Sequence, residues 1–123
     1  MSSYNKLYNY KIHKLVKVVD GDTVDAIIDL GFNIHVTKRI RLYGIDAPES
    51  RTRDKEEKVR GLAAKARLKE LLDKKQKMYI ESFGEGKFGR LLAKIFVGEA
   101  QVDVIDLMIA EGHGKAYYGG NRK

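Results

Sequence analysis

Residues 8–30 read YNYKIHKLVKVVDGDTVDAIIDL and predict two antiparallel strands joined by a tight turn. Residues 8–19 and 22–30 are rich in β-branched and aromatic side chains, which favour strands. The pair Asp20-Gly21 lies between them, and an Asp-Gly pair between two such runs is a strong hairpin signal. The first two strands are therefore expected to be neighbours in one sheet.

The chain that follows this hairpin predicts a third strand and then a long helix. A turn at residues 31–33 leads into residues 34–45, where apolar and polar residues roughly alternate. The alternation slips near Lys38-Arg39, which predicts a β-bulge there. Residues 54–75 then place apolar residues at helical spacing, so one long helix is expected in this range.

Two further strands and a short helix are predicted in the rest of the chain. KMYIESF and LLAKIFV, residues 77–83 and 91–97, have strand character and flank a glycine-rich loop. A short helix is expected from about Val104 to Glu111, with Asp103 as its cap, Gly112 as its stop, and Leu107 among its buried residues.

The order of these elements predicts the fold class. Three strands, a long helix, two strands and a short helix define an α+β, mainly β chain. This order is that of a five-stranded OB-fold barrel with the long helix between strands three and four. The sequence contains no linker or repeat, so residues 1–123 are expected to form a single domain.

Composition favours a polyanionic partner and a hard cation. The chain has 24 basic and 17 acidic residues, a formal net charge of +7 and no cysteine. A basic protein gains affinity for nucleic acid by releasing counterions, although a basic surface also serves solubility alone. Without thiolates, oxygen ligands favour calcium or magnesium over zinc. No apolar run suits a signal peptide or a membrane span, so a cytoplasmic protein with no membrane partner is expected, with secretion after removal of a leader as the alternative. A monomer is expected as well.

Three short segments carry candidate chemistry: DGDT at 20–23, RLYGIDAPE at 41–49 and GKFGR at 86–90. Each alone is typical of a turn, a cap or a solvated loop. In the second segment, however, a strand can direct alternate side chains into one pocket, and an Ala-Pro corner can bring another acid to it. The spacing of Asp46 and Glu49 after Arg41 is therefore compatible with a site.

In this order the three segments resemble the staphylococcal nuclease (thermonuclease) family, over about Tyr10 to Tyr117. The resemblance implies an OB-fold barrel and a calcium-dependent endonuclease that hydrolyses DNA and RNA with little sequence preference, leaving 3'-phosphates. A catalytically weak nucleic-acid-binding OB-fold module is the alternative. A small protein-interaction domain is a third class, which the basic charge disfavours.

The resemblance also implies residue roles. It assigns calcium binding to Asp22, Asp46 and the carbonyl of Ala47, with Asp20 close to the metal. It assigns catalysis to Glu49, which activates or orients water, and to Arg41 and Arg90, which hold the scissile phosphate. Substrate contacts are expected from Lys87, Lys115 and either Tyr117 or Tyr118.

Three departures from the family pattern bear on substrate affinity and stability rather than on catalysis. Gly86 stands where the secreted staphylococcal enzyme has an aspartate, and Phe88 replaces a tyrosine, which removes a hydroxyl able to contact phosphate. The sequence stops at Lys123, so a short form without the final helix is expected.

Overall fold

A computed structural model describes residues 8–73 and 75–117. Helices and strands follow the predicted order, with three additional short strands. Their bounds are β1 (Asn9–Asp20), β2 (Thr23–Asp29), β3 (His35–Leu42), β4 (Gly44–Asp46), α1 (Lys55–Leu71), β5 (Met78–Glu85), β6 (Leu91–Val97), β7 (Val102–Asp103), α2 (Val104–Ala110) and β8 (Lys115–Tyr117).

Five strands close into a barrel, which confirms the predicted OB-fold of the α+β class. The strand order is β3-β2-β1-β5-β6, with antiparallel neighbours throughout. Parallel pairing of β3 with β6, which sets Ile40 opposite Leu91, closes the ring. Closure leaves no long unpaired edge among these strands. The short strands β4 and β8 pair with each other outside this ring, whereas β7 pairs with the barrel strand β6. The sequence did not predict β7 and β8, and the third strand predicted at residues 34–45 is interrupted at Tyr43, so β4 is a separate strand.

Bulges occur in β1 and not where the sequence predicted one. The β2–β3 register runs from Thr23↔Arg41 to Asp29↔His35 without a shift, so the bulge predicted near Lys38-Arg39 is wrong. Strand β1 instead shifts register three times against β2. Its core residues Ile12, Leu15 and Val18 recur every third position. A regular strand alternates faces every second residue, so the one residue that each bulge adds brings the next apolar side chain back to the buried face.

The predicted hairpin is present, with Gly21-Asp22 as its two-residue loop. Gly21 is required by packing, because a Cβ there would lie 2.7 Å from the Cβ of Ala64 on α1. The close approach brings the end of the β1–β2 hairpin against the helix. Asp22 is therefore held in a turn whose position is set by the core.

Helix α1 is shorter than predicted. Asp54 caps it by accepting hydrogen bonds from the amides of Glu56 and Glu57, and it ends at Leu71 rather than near residue 75. Leu72 leaves the helical region at φ −93° and ψ 50°, which buries its side chain in the core. Packing of this leucine thus ends the helix where periodicity alone predicted further turns.

Helix α2 begins after the predicted cap, since Asp103 accepts from the amides of Ile105 and Asp106. Burial raises the pKa of the Asp103 carboxyl. Ile105 is buried and Leu107 only half-buried, so the predicted burial of Leu107 is wrong. Among the described helices, none has the length and apolar character to span a membrane.

The core draws on the barrel and on both helices, because α1 packs on β1 and α2 packs on β6. Its largest fully buried side chains are Val24, Ile28, Ile40, Leu42, Ile45, Leu68, Leu72, Ile80, Ile95, Val104 and Met108.

Candidate active site

Two predicted metal ligands and one predicted catalytic arginine converge at the end of β3. Arg41 lies opposite Thr23 in the β2–β3 ladder, next to the turn that holds Asp22. Its Nη2 atom is 3.6 Å from Asp22 Oδ2 and 3.7 Å from Asp46 Oδ1. One guanidinium thus lies between two carboxylates that are 24 residues apart in sequence. We call these three side chains the acid–arginine cluster.

Asp22 is held by the protein's own hydrogen bonds. It is buried, and its Oδ2 accepts from the amide of Ala47 at 2.9 Å while its Oδ1 accepts from Thr23 Oγ1 at 3.0 Å. Its backbone carbonyl accepts from the amide of Leu42 at 2.8 Å. These bonds fix the turn against both the end of β3 and the segment after β4, so the carboxylate is preorganised.

Arg41 is oriented by backbone carbonyls. Its Nη1 donates to Leu42 O at 2.8 Å and to Ile45 O at 2.7 Å, and only 16% of its side chain is exposed. A planar guanidinium can satisfy these acceptors on one side and present other N–H groups on another. This anchoring directs Nη2 toward the two acids.

The segment that carries Glu49 is held by two acidic side chains. Glu49 is exposed, and its amide donates to Glu57 Oε2 on α1 at 3.0 Å. The amide of Ser50 donates to Asp20 Oδ1 at 3.3 Å, and the Ser50 hydroxyl donates to the same oxygen. The structure therefore connects Asp20, predicted to lie near a metal, to the backbone that follows Glu49.

Gly61 lets α1 approach this segment. A Cβ at this position would lie 2.1 Å from Glu49 O and 2.6 Å from Ser50 N, which no side chain can occupy. The absent side chain permits backbone contact between the helix and the Glu49 segment.

Arg90 lies in a groove beside the cluster. The groove has a volume of about 330 Å³. Arg90 Cζ lies 5.8 Å from the centroid of the Phe88 ring, which is 92% exposed on a backbone with φ +63°. The groove's other polar lining residues are Asp20, Thr23, Arg39 and Arg51.

One arginine of the groove has a carboxylate partner on the neighbouring strand. Arg39 Nε and Nη2 donate to the two oxygens of Asp25 at 2.8 and 3.0 Å. The Arg39 hydrogen bonds lower the pKa of the Asp25 carboxyl, so this acid stays ionised and balances one positive charge.

The residues predicted to contact substrate are placed only in part. Strand β8 sets Lys115 opposite Asp46 and Tyr117 opposite the first residue of β4, with Lys115 exposed and Tyr117 half-buried. Lys87 belongs to a short turn, Lys87–Gly89. Tyr118 lies outside the described residues. Their predicted roles remain predictions.

The donor set of the cluster fits a hard cation. Asp22 and Asp46 supply carboxylate oxygens, and Ala47, whose amide bonds to Asp22, also carries a backbone carbonyl; these are ligand types that calcium prefers. Over residues 8–73 and 75–117, however, no three His, Cys, Asp or Glu side chains group so that they could hold a metal ion. The described protein ligands are thus few, and water and a substrate oxygen would have to complete a calcium shell.

Sequence reasoning missed several residues that hold or line this site. Glu57 and Gly61 contact the backbone of the Glu49 segment from α1, and Ser50 fixes the same segment by bonding to Asp20. No local sequence motif marks these contacts. Arg51 follows the Glu49 motif directly, in RTR at 51–53, and this basic run was the available signal. Arg39 is the other missed groove residue.

Together with a match to a nuclease family model over residues 39–123, the closed OB-fold barrel indicates a nuclease-like or nucleic-acid-binding OB-fold protein. The family model described as staphylococcal nuclease homologue matches residues 39–123. The chain belongs to this family, whose members usually hydrolyse nucleic acids and generally depend on calcium. A comparison with curated protein sequences found no match.

The matched range contains Arg41, Asp46, Glu49 and Arg90 but begins after Asp22. The structure joins Asp22 to the matched range through its hydrogen bond with the Ala47 amide and its approach to Arg41. The first hairpin is therefore part of the same site geometry.

Proposed function

We propose that the protein is a calcium-dependent endonuclease that hydrolyses phosphodiester bonds of DNA and RNA with little sequence preference, leaving 3'-phosphates. The acid–arginine cluster carries the proposal, since a nucleic-acid-binding surface needs positive charge but has no use for two carboxylates beside a phosphate site. Without a cation, Asp22 and Asp46 would repel a phosphodiester. A bound calcium ion would supply positive charge that offsets both the carboxylates and the charge developing on phosphate.

In this proposal the chain's own arginines bind the scissile group. Arg41 and Arg90 donate hydrogen bonds to phosphate oxygens, where negative charge increases as water attacks. Arg41 is already oriented by two backbone carbonyls, so little reorganisation is needed at the moment of reaction. Water oxygen bonds to phosphorus and gives up a proton to Glu49 or to solvent, the bond to the 5' oxygen breaks, and the leaving 5' oxygen takes a proton from solvent water.

Glu49 is the proposed acceptor or orienting group for the attacking water. Its side chain is exposed while its amide is fixed to Glu57, so the carboxylate can meet solvent from a fixed backbone. A positioned general base contributes on the order of a hundredfold to ten-thousandfold in rate. Substrate contacts by Lys87, Lys115 and Tyr117 or Tyr118 belong to the same proposal.

The function is tested by cleavage of single-stranded DNA, duplex DNA and RNA in calcium, magnesium or chelator. We expect calcium-dependent cleavage that stops in chelator and falls at least about a hundredfold in Glu49→Gln, because the amide cannot accept a proton. Product ends are identified by their sensitivity to a 3'-phosphatase.

Glu99→Gln is the matched control, since Glu99 is exposed in the loop after β6 and lies outside the cluster. Binding without cleavage in any metal would refute the enzyme and favour the alternative, a binding module. The sparse set of described metal ligands is the observation that keeps this alternative as the second candidate.

Calcium binding has a test that needs no substrate. A cation that binds only the folded protein stabilises it by about 2.7 kcal/mol at a hundred times its dissociation constant. We therefore expect calcium to raise the melting temperature by several degrees, and Asp22→Asn and Asp46→Asn each to abolish most of that shift. Scanning calorimetry with and without calcium measures it.

The asparagine substitutions keep the side-chain shape, and in Asp22→Asn the amide oxygen of the new side chain can still accept from the Ala47 amide. Glu99→Gln again serves as the control and should retain the full shift. If both asparagine variants keep the calcium shift, the metal site is not at the acid–arginine cluster.

A further inference from the structure

The groove beside the cluster has a basic wall, and two of its arginines, Arg39 and Arg51, have no part in the proposed cleavage step. Arg39 and Arg51 line it together with Arg90. Arg51 is exposed, and within the described part of the chain no carboxylate lies in ion-pairing range of it. Its charge is thus available to a ligand.

The other charges of the groove leave this wall positive. Asp20, the only acid among the described residues that line the groove, accepts two hydrogen bonds from Ser50. Arg39 is balanced by Asp25, but those two bonds use only two of the five N–H donors of a guanidinium. The three arginines of the wall thus outnumber the two carboxylates described beside them, Asp20 and Asp25, and this positive balance suits an anion such as phosphate.

The groove also has an aromatic surface at its edge. Phe88 holds a left-handed backbone conformation that is unfavourable for a non-glycine residue, and its ring is 92% exposed. An exposed ring can stack on the face of an unpaired base, whereas bases within a duplex cover each other. The volume of about 330 Å³ is at the lower end of the roughly 300–1,000 Å³ range of ligand pockets.

We infer that Arg51 and Arg39 form, beside Arg90, a phosphate-binding subsite for a nucleotide that flanks the cleaved bond in an unpaired strand. This inference rests on the proposed nuclease function and adds a substrate preference to it. Arg51 and Arg39 bind the flanking phosphodiester, and Phe88 stacks on its base. Longer single strands then bind better than a substrate with a single phosphodiester.

The test compares Arg51→Ala with Arg53→Ala, an exposed arginine two residues away that does not line the groove. The kcat/KM ratio for octathymidylate over dithymidine monophosphate should fall about tenfold in Arg51→Ala and remain unchanged in Arg53→Ala. In chelator, where no cleavage is expected, the slope of log binding constant against log salt for the octamer should fall by about 0.7 in Arg51→Ala.

The unpaired-strand preference is tested with Phe88→Ala. Single-strand affinity should fall by about fivefold to a hundredfold, and affinity for a duplex of equal length should change less. Phe32→Ala is the control, because Phe32 is also exposed (96%) with positive φ (56°) but lies in the β2–β3 turn. Equal losses on duplex and single strand would overturn this preference.

The outcomes separate the subsite from the nuclease. If the protein cleaves, but Arg51→Ala matches Arg53→Ala in both the length ratio and the salt slope, the subsite is wrong and the enzyme stands. If the wild type cleaves nothing, the enzyme fails, and the salt slope alone decides whether Arg51 binds phosphate.

Discussion

Replacing Gly61 with alanine is expected to destabilise the protein by about 2–3 kcal/mol and to slow cleavage about a hundredfold. The new Cβ would meet Glu49 O at 2.1 Å, so either α1 or the Glu49 segment must move. Overpacking of this kind costs about 1–3 kcal/mol. A displacement of about 1 Å at a positioned group can reduce the rate on the order of a hundredfold. Denaturant unfolding and steady-state kinetics measure the two effects.

Helix propensity alone would predict that Gly61→Ala raises stability, because alanine is favoured over glycine by about 1 kcal/mol in a helix interior. The expected loss of stability therefore has the opposite sign. Ala66→Gly, at an exposed position of α1, measures the propensity term in the same helix and should reduce stability by about that amount. A Gly61→Ala variant that is stabilised and fully active would show that the close approach to Glu49 does not position the site.

The barrel could be predicted from the sequence to a large extent because its signals are local. Residues 8–30 contain strand character on both sides of an Asp-Gly turn, and α1 has apolar residues at helical spacing. The parallel closure of β3 on β6 is a contact between distant segments and leaves no local pattern. The bulges of β1 were missed because a three-residue burial period in a strand resembles irregular alternation.

The site was predictable where residue type carried the information. From the residues alone, the spacing of Arg41, Asp46 and Glu49 was only compatible with a site. The family resemblance implied that Asp22 acts with Arg41 and Asp46, and the structure brings these three side chains together. The supports of Glu49 were not predictable in the same way. Glu57 and Gly61 act through backbone groups of a distant segment, so their residue types alone did not reveal the contacts.

Arg41→Lys is expected to reduce cleavage by about a hundredfold to a thousandfold while the barrel stays folded. A lysine has a single nitrogen, which cannot satisfy Leu42 O and Ile45 O and also face both carboxylates. Loss of one preorganised donor to a developing charge typically lowers kcat by that amount. Because the interaction strengthens in the transition state, kcat and kcat/KM should fall together.

Arg67→Lys is the matched control, since Arg67 also makes two charged hydrogen bonds, to Glu111 at 2.7 and 2.9 Å, but these join α1 to the end of α2 outside the cluster. The Arg67→Lys variant should lower stability slightly and leave kcat unchanged.

A double variant that combines Arg41→Lys with Asp22→Asn separates the role of Arg41 as a charge partner of Asp22 from its role in binding phosphate. Coupling of the two changes in unfolding free energy would measure that pairing. A normal kcat in Arg41→Lys would instead show that the arginine only holds the acids in place and does not bind the scissile phosphate.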